Sequence, residues 1–223
     1  MSGTERTATV ERKTTETEIF LKLNVDGSGT CSVETKIPFF NHMLHAFTRH
    51  AVVDLELRCD GDVEVDAHHT VEDCGIALGE AFTSAVAEKR GIHRYGFASD
   101  DKAPVIGGES YVPMDECLAR CVIDFSGRPY LVWRGMDDYA YKMISEAERE
   151  QDMSSRFRFG LAREFFQGFT NAAKCNLHLE IIYGDEPHHI VEALFKAFAK
   201  AVDFAVSRDP RISGQIPSSK GKL

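Results

Sequence analysis

The sequence lacks a long hydrophobic run: no part of its 223 residues approaches the ~18 consecutive apolar residues that indicate a membrane-spanning helix. The first 22 residues are too polar for a secretory signal, and they lack the arginine-rich, acid-poor composition of a transit peptide. A C-x-x-C pair is also lacking, so the six cysteines are expected to be reduced thiols. These absences favour a protein of the cytoplasm.

An excess of basic residues is lacking as well. Lysine and arginine number 26 against 35 acidic residues, which gives a formal net charge of -9. A nucleic-acid-binding surface requires a basic stripe, so the charge argues against nucleic acid as a partner. A local pocket for an anionic metabolite stays possible. The apolar content of 43% is ordinary for a folded protein, and the length allows one domain or two small ones.

The most distinctive feature is a five-residue string that occurs twice, as HHTVE at 68–72 and HHIVE at 188–192. Each copy begins a run of alanines and bulky apolar residues that is typical of a helix. A helix advances by about 100° per residue, so the first histidine and the glutamate of each copy lie on nearly one face. Each such pair can therefore bind one cation as a fork.

The second histidine of each copy points about a quarter-turn away from its fork, and suits a second cation better than the first. A single histidine on an amphipathic helix is usually structural, but adjacent histidines have no packing advantage. The duplicated string therefore predicts two metal ions, each bound by one fork and by the extra histidine of the other copy. The forks are His68 with Glu72 and His188 with Glu192, and the extra histidines are His69 and His189.

The sequence around the string repeats too. The preceding strand recurs at an offset of 122 residues, which places Leu55 on Leu177 and Leu57 on Leu179. This period is too long for a solenoid and indicates an internal duplication. At an offset of 120 residues, eight of nineteen positions are identical, and those of the first copy are His68, His69, Val71, Glu72, Ala77, Ala81, Ala85 and Val86.

Hydrophobic periodicity predicts the same element order in both halves: three strands, a helix, a strand and a helix. The predicted fold class is α+β, a two-layer sandwich that duplicates a β3-α-β-α half-domain with both helices on one face of the sheet. The half-domains are predicted at 1–93 and 94–208, followed by a C-terminal tail at 209–223. The strands are predicted at 7–11, 17–25, 30–36, 52–59, 94–98, 116–125, 129–134 and 175–183, and the helices at 38–50, 68–89, 156–173 and 188–206.

The offset of 122 residues also carries His42, on the first predicted helix, onto Glu164 on the corresponding helix of the second half. Imidazole and carboxylate are both competent ligands for a borderline-hard divalent ion. With these residues added, each cation receives three nitrogens and one oxygen, or two of each, and keeps positions open for a substrate. The remaining candidates His45, His93 and His178 are expected to be structural.

Two weaker patterns also have ordinary explanations. Glu16 and Glu18 are expected on one side of a strand, as an exposed acidic edge. The segment PSSKG at 217–221 offers hydroxyls, backbone donors and an ammonium that suit a phosphate group. Tails of this composition are nevertheless often disordered.

Several stretches together resemble the imidazoleglycerol-phosphate dehydratase family, from about residue 5 to the end of the chain. The resemblance implies a ribosomal protein S5 domain 2-like fold. It also implies dehydration of D-erythro-imidazole glycerol phosphate to imidazole acetol phosphate in histidine biosynthesis. The matching stretches are IPFFNHML at 37–44, DAHHTVED at 66–73, DFSGRPY at 124–130, the run 188–201, and IPSSKG at 216–221.

The resemblance further implies two Mn2+ ions per subunit that bind the imidazole ring of the substrate as imidazolate. One ion is implied to be held by His42, His69, His188 and Glu192, and the other by His68, Glu72, Glu164 and His189. The family forms a hollow homo-oligomeric particle of 24 subunits, with its sites between subunits.

Catalytic and substrate-binding residues are carried over in the same way. Glu16 is the candidate acid or base, and the other residues implied at the reacting centre are His69, Glu72 and Glu192. The residues implied to contact the substrate are Glu16, His42, His50, His68, His69, Glu72, Arg94, Arg128, His188, Glu192, Lys196, Ser218, Ser219 and Lys220.

The chain departs from the family pattern in three places. Glu164 stands where many members have histidine, and Asn41 stands where the common pattern has aspartate. The segments 98–112 and 136–155 are longer than usual, and their polar, acidic composition predicts surface loops. Two other functions stay open from the residues alone: a different dinuclear metalloenzyme, such as a phosphoester hydrolase, and a non-catalytic metal-storage or structural assembly.

Overall fold

The computed structural model describes residues 6–97, 111–135 and 157–223 of the chain. Its first half contains strands β1 (Thr7–Lys13), β2 (Thr17–Asn24), β3 (Cys31–Glu34) and β4 (Asp54–Gly61) and helices α1 (Pro38–Ala51) and α2 (Ala67–Val86). Its second half contains strands β5 (Tyr95–Phe97), β6 (Tyr111–Met114), β7 (Cys117–Asp124), β8 (Tyr130–Arg134) and β9 (Asn176–Tyr183), and helices α3 (Phe159–Ala173) and α4 (Pro187–Val206). A short 3-10 helix, Pro210–Ile212, follows.

The two sheets share one topology. The first has the order β1-β2-β4-β3, and the second has the order β5-β7-β9-β8, with β6 also pairing with β7. In each sheet the central pair, β2–β4 or β7–β9, is antiparallel, and the last pair, β3–β4 or β8–β9, is parallel. The predicted α+β duplication is therefore confirmed.

The helices lie between the two sheets and pack across the halves. Helix α2 packs on α3, and α1 packs on α4, while α2 and α4 also cover the inner faces of their own sheets. The first sheet alternates buried and exposed residues along β2 and β4, as expected for a sheet with one covered face. The core between the layers is rich in phenylalanine. Ring contacts join five of these residues, Phe165, Phe166, Phe169, Phe195 and Phe198.

Glycines bring α2 and α3 into close contact. A Cβ on Gly75 would lie 2.3 Å from the carbonyl oxygen of Phe165, and a Cβ on Gly79 would lie 2.6 Å from that of Phe169. From the first contact to the second, the residue number rises by four on both helices, so α2 and α3 run parallel. Gly168 faces back towards the carbonyl oxygen of Glu72, which a Cβ would approach to 2.7 Å.

The predicted helices and strands agree with the structure apart from small differences at their ends and one missing strand. Strand β6 was not predicted, and the expectation of a surface loop over 98–112 was wrong for Tyr111 and Val112, which pair with Arg120 and Ala119. This strand is short, lies at an edge of the sheet and contains Pro113, which weakens its strand signal. The rest of that segment, and all of 136–155, lie outside the described residues.

Within the described parts of the chain, no helix is both long enough and apolar enough to span a membrane.

The glycine contact predicts the effect of adding a methyl group. Gly75→Ala should lower the free energy of unfolding by about 1–3 kcal/mol, because overpacking against Phe165 outweighs the gain in helix propensity of about 1 kcal/mol. Chemical denaturation at fixed protein concentration measures the change. Ser84→Ala, at an exposed position of the same helix, is the control and should change stability little. An unchanged or increased stability of Gly75→Ala would contradict the close approach.

Candidate metal centre

Carboxylate caps begin both helices that carry the repeated string. The Asp66 side chain accepts a hydrogen bond from the backbone N–H of His68 at 2.9 Å, and the Glu186 side chain accepts one from that of His188 at 3.3 Å. These caps satisfy free N–H groups at the helix ends and place each string in the first turns of its helix. The structure shows the contact expected within each fork. The Nε2–Oε2 distances are 3.2 Å from His68 to Glu72 and 3.3 Å from His188 to Glu192.

Helix α1 adds a third ligand to the fork on α4. The Nε2 atom of His42 lies 3.4 Å from Oε2 of Glu192, and the ligand atoms of His42, His188 and Glu192 all lie within 4.8 Å of one another. Phe39, one turn before His42, packs edge-on against the His188 ring at 5.0 Å between centroids. Two imidazoles and one carboxylate form a donor set that can bind a borderline-hard divalent cation.

Basic groups surround the carboxylate of this triad. Glu192 is buried, and the Lys196 Nζ atom lies 2.7 Å from its Oε1. Burial alone would raise the pKa of Glu192, but the hydrogen bond and charge of Lys196, together with His42, outweigh it and hold the pKa below its usual value. Burial, followed by the charges of Lys196 and Lys200, lowers the pKa of His50, and the charge of Glu192 acts on it in the opposite direction. Of the predicted substrate contacts, Lys196 thus adjoins the triad, and His50 is within range of its charge.

The second fork, formed by His68 and Glu72 on α2, has a related arrangement in which the ligand atoms lie farther apart. Because α2 and α3 run parallel, with Gly168 against the backbone of Glu72, Glu164 faces α2 one turn before that contact. By the offset of 122 residues, Glu164 corresponds to His42, which contacts the other fork. However, the ligand atoms of His68, Glu72 and Glu164 do not all lie within 4.8 Å of one another.

The two extra histidines contact carboxylates of their own halves. Nδ1 of His69 lies 3.0 Å from Asp62, and Nδ1 of His189 lies 2.8 Å from Glu116. An ionised carboxylate can only accept, so Nδ1–H donates in both cases and Nε2 is directed elsewhere. Hydrogen bonds to these carboxylates raise the pKa of both imidazoles. Neither histidine belongs to the triad within the same chain.

Glu16 lies in the turn before β2, with its Oε1 atom 3.8 Å from Nε2 of His69. The expectation that Glu16 and Glu18 share one strand edge was wrong, because β2 begins at Thr17. Only Glu18 lies on the strand, where it forms an exposed ion pair with Lys13. Glu16 belongs instead to the group around His69.

Five of the predicted substrate contacts line a separate cavity of about 360 Å³, and they are Arg94, Arg128, Ser218, Ser219 and Lys220. Arg94 donates to both carboxylate oxygens of Asp124, at 2.7 and 3.1 Å, and to the carbonyl oxygen of Pro217 at 2.9 Å. The hydrogen bond to Asp124 raises the pKa of Arg94. These hydrogen bonds fix the C-terminal segment against the second sheet. Among the described residues they use three of the five N–H donors of Arg94, which leaves two that can bind an anion.

Sequence reasoning missed Asp62 and Glu116. Asp62 was not among the candidate residues, because its contact with His69 depends on how the turn between β4 and α2 folds back on α2. Glu116 had a usable signal: it directly precedes β7, as Glu16 directly precedes β2. Extending the comparison of the halves to this turn would have placed both glutamates beside the extra histidines.

The His69–Asp62 pair predicts a pH-dependent stability. The folded-state pKa of His69 is raised, so the pair contributes stability that is present below about pH 6.5 and is lost as the pH rises through the folded-state pKa. In metal-free protein with chelator, Asp62→Asn should lower the melting temperature more at about pH 6 than at about pH 9. Glu64→Gln removes an exposed charge from the same turn and is the control. An equal loss at both pH values would show that the pair does not couple to His69 protonation.

Comparison with known proteins agrees with this architecture. A family model described as imidazoleglycerol-phosphate dehydratase matches residues 35–202. The chain is 47% identical over 218 residues to the imidazoleglycerol-phosphate dehydratase of Pelobacter propionicus, covering 98% of this chain and 99% of the relative. It is 48% identical over 218 residues to that of Albidiferax ferrireducens, covering 98% and 95%.

Solved structures give the same result. The crystal structure of imidazoleglycerol-phosphate dehydratase from Staphylococcus aureus superposes with a TM-score of 0.69 at 30% identity, covering 91% of this chain and 99% of that one. The structure of IGPD from Pyrococcus furiosus gives a TM-score of 0.72 at 27% identity, covering 96% and 100%. The chain therefore belongs to the imidazoleglycerol-phosphate dehydratase family and is a hydro-lyase of histidine biosynthesis.

Proposed function

We propose that the chain dehydrates imidazole glycerol phosphate to imidazole acetol phosphate at a centre that holds two Mn2+ ions. The observation that carries this proposal is the triad of His42, His188 and Glu192, with Lys196 beside it. The correspondence between Glu164 and His42, together with the His68–Glu72 contact, supports a second, related ion site. The donor sets, imidazole nitrogen and carboxylate oxygen, fit Mn2+ in both places.

The reaction needs an electron sink, because the carbon that loses its proton has no neighbouring carbonyl. When bound, the two ions act as Lewis acids towards the ring nitrogens of the substrate and supply that sink. The remaining work falls to side chains of the chain itself. His42, His188, Glu192 and His69 would hold one ion, and His68, Glu72, Glu164 and His189 the other.

Glu16 is the proposed acid or base, because its carboxylate is half-exposed and close to His69, one of the proposed ligands. A carboxylate at this position can remove the proton of the glycerol chain or return one to the product. General acid–base catalysis of this kind contributes about 10²–10⁴-fold. Glu72 and Glu192 hold the ions at the reacting centre rather than moving this proton.

The phosphate of the substrate would bind in the cavity lined by Arg94, Arg128 and the Ser218–Lys220 turn. Arg128 and Lys220 can neutralise a phosphate dianion, while the remaining N–H donors of Arg94, whose charge is paired with Asp124, and the two hydroxyls can orient it. This local concentration of positive charge lets a protein of net charge -9 bind an anionic substrate. Lys196 and His50 would contact the substrate near the triad.

A second copy of the chain is the proposed partner. His69 and His189 contact acidic residues of their own halves, and neither reaches the triad of the same chain. Ligands from a neighbouring subunit would therefore complete each ion site, in keeping with a homo-oligomer of 24 subunits in the cytoplasm. In a symmetric homo-oligomer, each interface brings residues of two copies together, so one site can contain ligands from both.

Metal depletion tests the proposed reaction. Chelator-treated protein should not convert imidazole glycerol phosphate, and added Mn2+ should restore formation of the ketone, measured as imidazole acetol phosphate. Inorganic phosphate is measured in the same samples. Release of phosphate without ketone would instead support a phosphoester hydrolase, and a lack of any turnover by Mn2+-loaded protein would support a storage or structural role.

Replacing the proposed acid or base tests its role. Glu16→Gln should lower kcat by about 10²–10⁴-fold, because the amide cannot exchange the proton. Its Mn2+ content and its substrate affinity should stay near those of the unmodified protein, as measured by metal analysis and calorimetry. Glu18→Gln, on the adjacent strand, is the matched control and should keep normal activity. Near-normal rates in Glu16→Gln would remove Glu16 from the mechanism.

The least typical ligand can be tested by metal content. Glu164→Ala should reduce the number of Mn2+ ions bound per chain, because the second fork then lacks its third ligand. Glu164→His restores a ligand of the kind that many family members have and should retain both ions. Two ions and normal activity in the alanine variant would show that the correspondence between His42 and Glu164 does not extend to metal binding.

A further inference from the structure

A buried polar contact ties helix α2 to the turn that carries Glu16. Asp73 directly follows the fork residue Glu72, but its side chain is buried against the first sheet. It accepts a hydrogen bond from Oγ1 of Thr17 at 2.5 Å and two from the Arg12 guanidinium at 2.9 and 3.2 Å. Thr17 is the residue next to Glu16. The latch formed by Arg12, Thr17 and Asp73 thus joins the hairpin β1–β2 to the helix that carries His69.

The turn itself holds the backbone of Glu16. The Thr14 hydroxyl accepts from the backbone N–H groups of Glu16 and Thr17, at 3.1 and 3.0 Å. The carbonyl oxygen of Glu16 accepts from the N–H of Asp62 at 3.0 Å, in the same turn whose carboxylate contacts His69. With the backbone fixed on both sides, the direction of the Glu16 side chain depends on where the start of β2 sits relative to α2.

The second half of the duplicated fold lacks this latch. At the offset of 120 residues, Asp73 corresponds to Ala193. By strand topology, Thr17, the first residue of β2, corresponds to Cys117, the first residue of β7. The same packing is therefore achieved there without the polar contact. A buried ion pair usually gives no more net stability than apolar residues of similar volume at the same place. Stability therefore does not explain why the first half has the Arg12–Asp73 ion pair.

The glutamates of the two turns make different contacts, and only the half that contains Glu16 has the latch. Glu116, the counterpart of Glu16, contacts Nδ1 of its extra histidine, His189. In the first half Asp62 takes that position on His69, and Glu16 approaches Nε2 instead. In the half that has the latch, the glutamate of the turn, Glu16, does not bind Nδ1 of the extra histidine. This coincidence indicates that the latch serves Glu16.

We propose that Asp73, acting through Thr17 and Arg12, is a positioning residue that holds Glu16 at the reacting centre. The proposal rests on the proposed role of Glu16 as acid or base. Asp73 contacts neither substrate nor metal in this scheme, and it acts only by fixing the hairpin against α2. An error of about 1 Å in the position of a catalytic group can lower a rate by about 10²-fold.

A double-mutant cycle tests this inference. Thr17→Val keeps the shape of the side chain but removes the hydroxyl, and it should lower kcat by about 10- to 100-fold, with the substrate KM and the Mn2+ content nearly unchanged. Thr17→Ser keeps the hydroxyl and should retain most of the rate. In the Glu16→Gln background, Thr17→Val should cause no further loss, because there is no longer a catalytic carboxylate to position. Thr48→Val, which removes another buried hydroxyl that donates at 2.8 Å to Leu44, is the control for folding and should keep normal kcat.

The outcomes separate the two proposals. A fall in kcat by the same factor in both backgrounds would overturn the positioning role while leaving Glu16 as the acid or base. A normal rate for Thr17→Val, or a loss that Thr17→Ser shares fully, would overturn it as well. A near-normal rate for Glu16→Gln alone would overturn both, since no catalytic carboxylate would then exist in this turn.

Discussion

The contact between α1 and α4, which come from opposite halves, is the interaction on which the candidate centre depends. It places His42 against the carboxylate of Glu192, and the cap from Glu186 fixes the turn that carries His188. The carboxylate of Glu192 is buried, which is costly for an isolated charge. Lys196 and the two imidazoles offset this cost, so the site is a cluster of mutually dependent polar groups. The same cross-half packing, through glycines, brings α3 against α2.

Duplication explains why the molecule has two forks, and divergence explains why they are not equal. The fork of His188 and Glu192 is joined by the imidazole of His42 from α1. The residue of α3 that corresponds to His42 is a carboxylate, Glu164. The turns beside the extra histidines have diverged too. Asp62 accepts a hydrogen bond from His69, whereas Glu116 accepts one from His189. Hydrogen bonds from Cys117 and His189 lower the pKa of Glu116 to about 2. A symmetric scaffold with asymmetric polar groups can thus give the two proposed ion sites different surroundings.

Much of the fold could be predicted, because the periodicity of apolar residues is regular and the two halves independently predict the same order of strands and helices. The contact within each fork follows from helix geometry alone. The offset of 122 residues identified His42 and Glu164 as counterparts, but only the family resemblance assigned His42 to the ion of Glu192. Asp62, Asp73 and Glu116 could not be recognised as partners, because their contacts depend on how turns and sheet faces meet the helices. Strand β6 was missed because Pro113 obscures its pattern.

The central claim is that residues of two chains complete each ion site, and mixing of variants tests it most directly. Chains with His69→Ala keep the fork of Glu192, and chains with Glu192→Ala keep His69, so each homogeneous assembly should be almost inactive. When the two are unfolded and reassembled together with Mn2+, about a quarter of the sites should contain both intact contributions by random pairing, and activity should return in that proportion. If mixed assemblies form, as shown by differential tagging, but remain inactive, each site must be completed within one chain and the account is wrong.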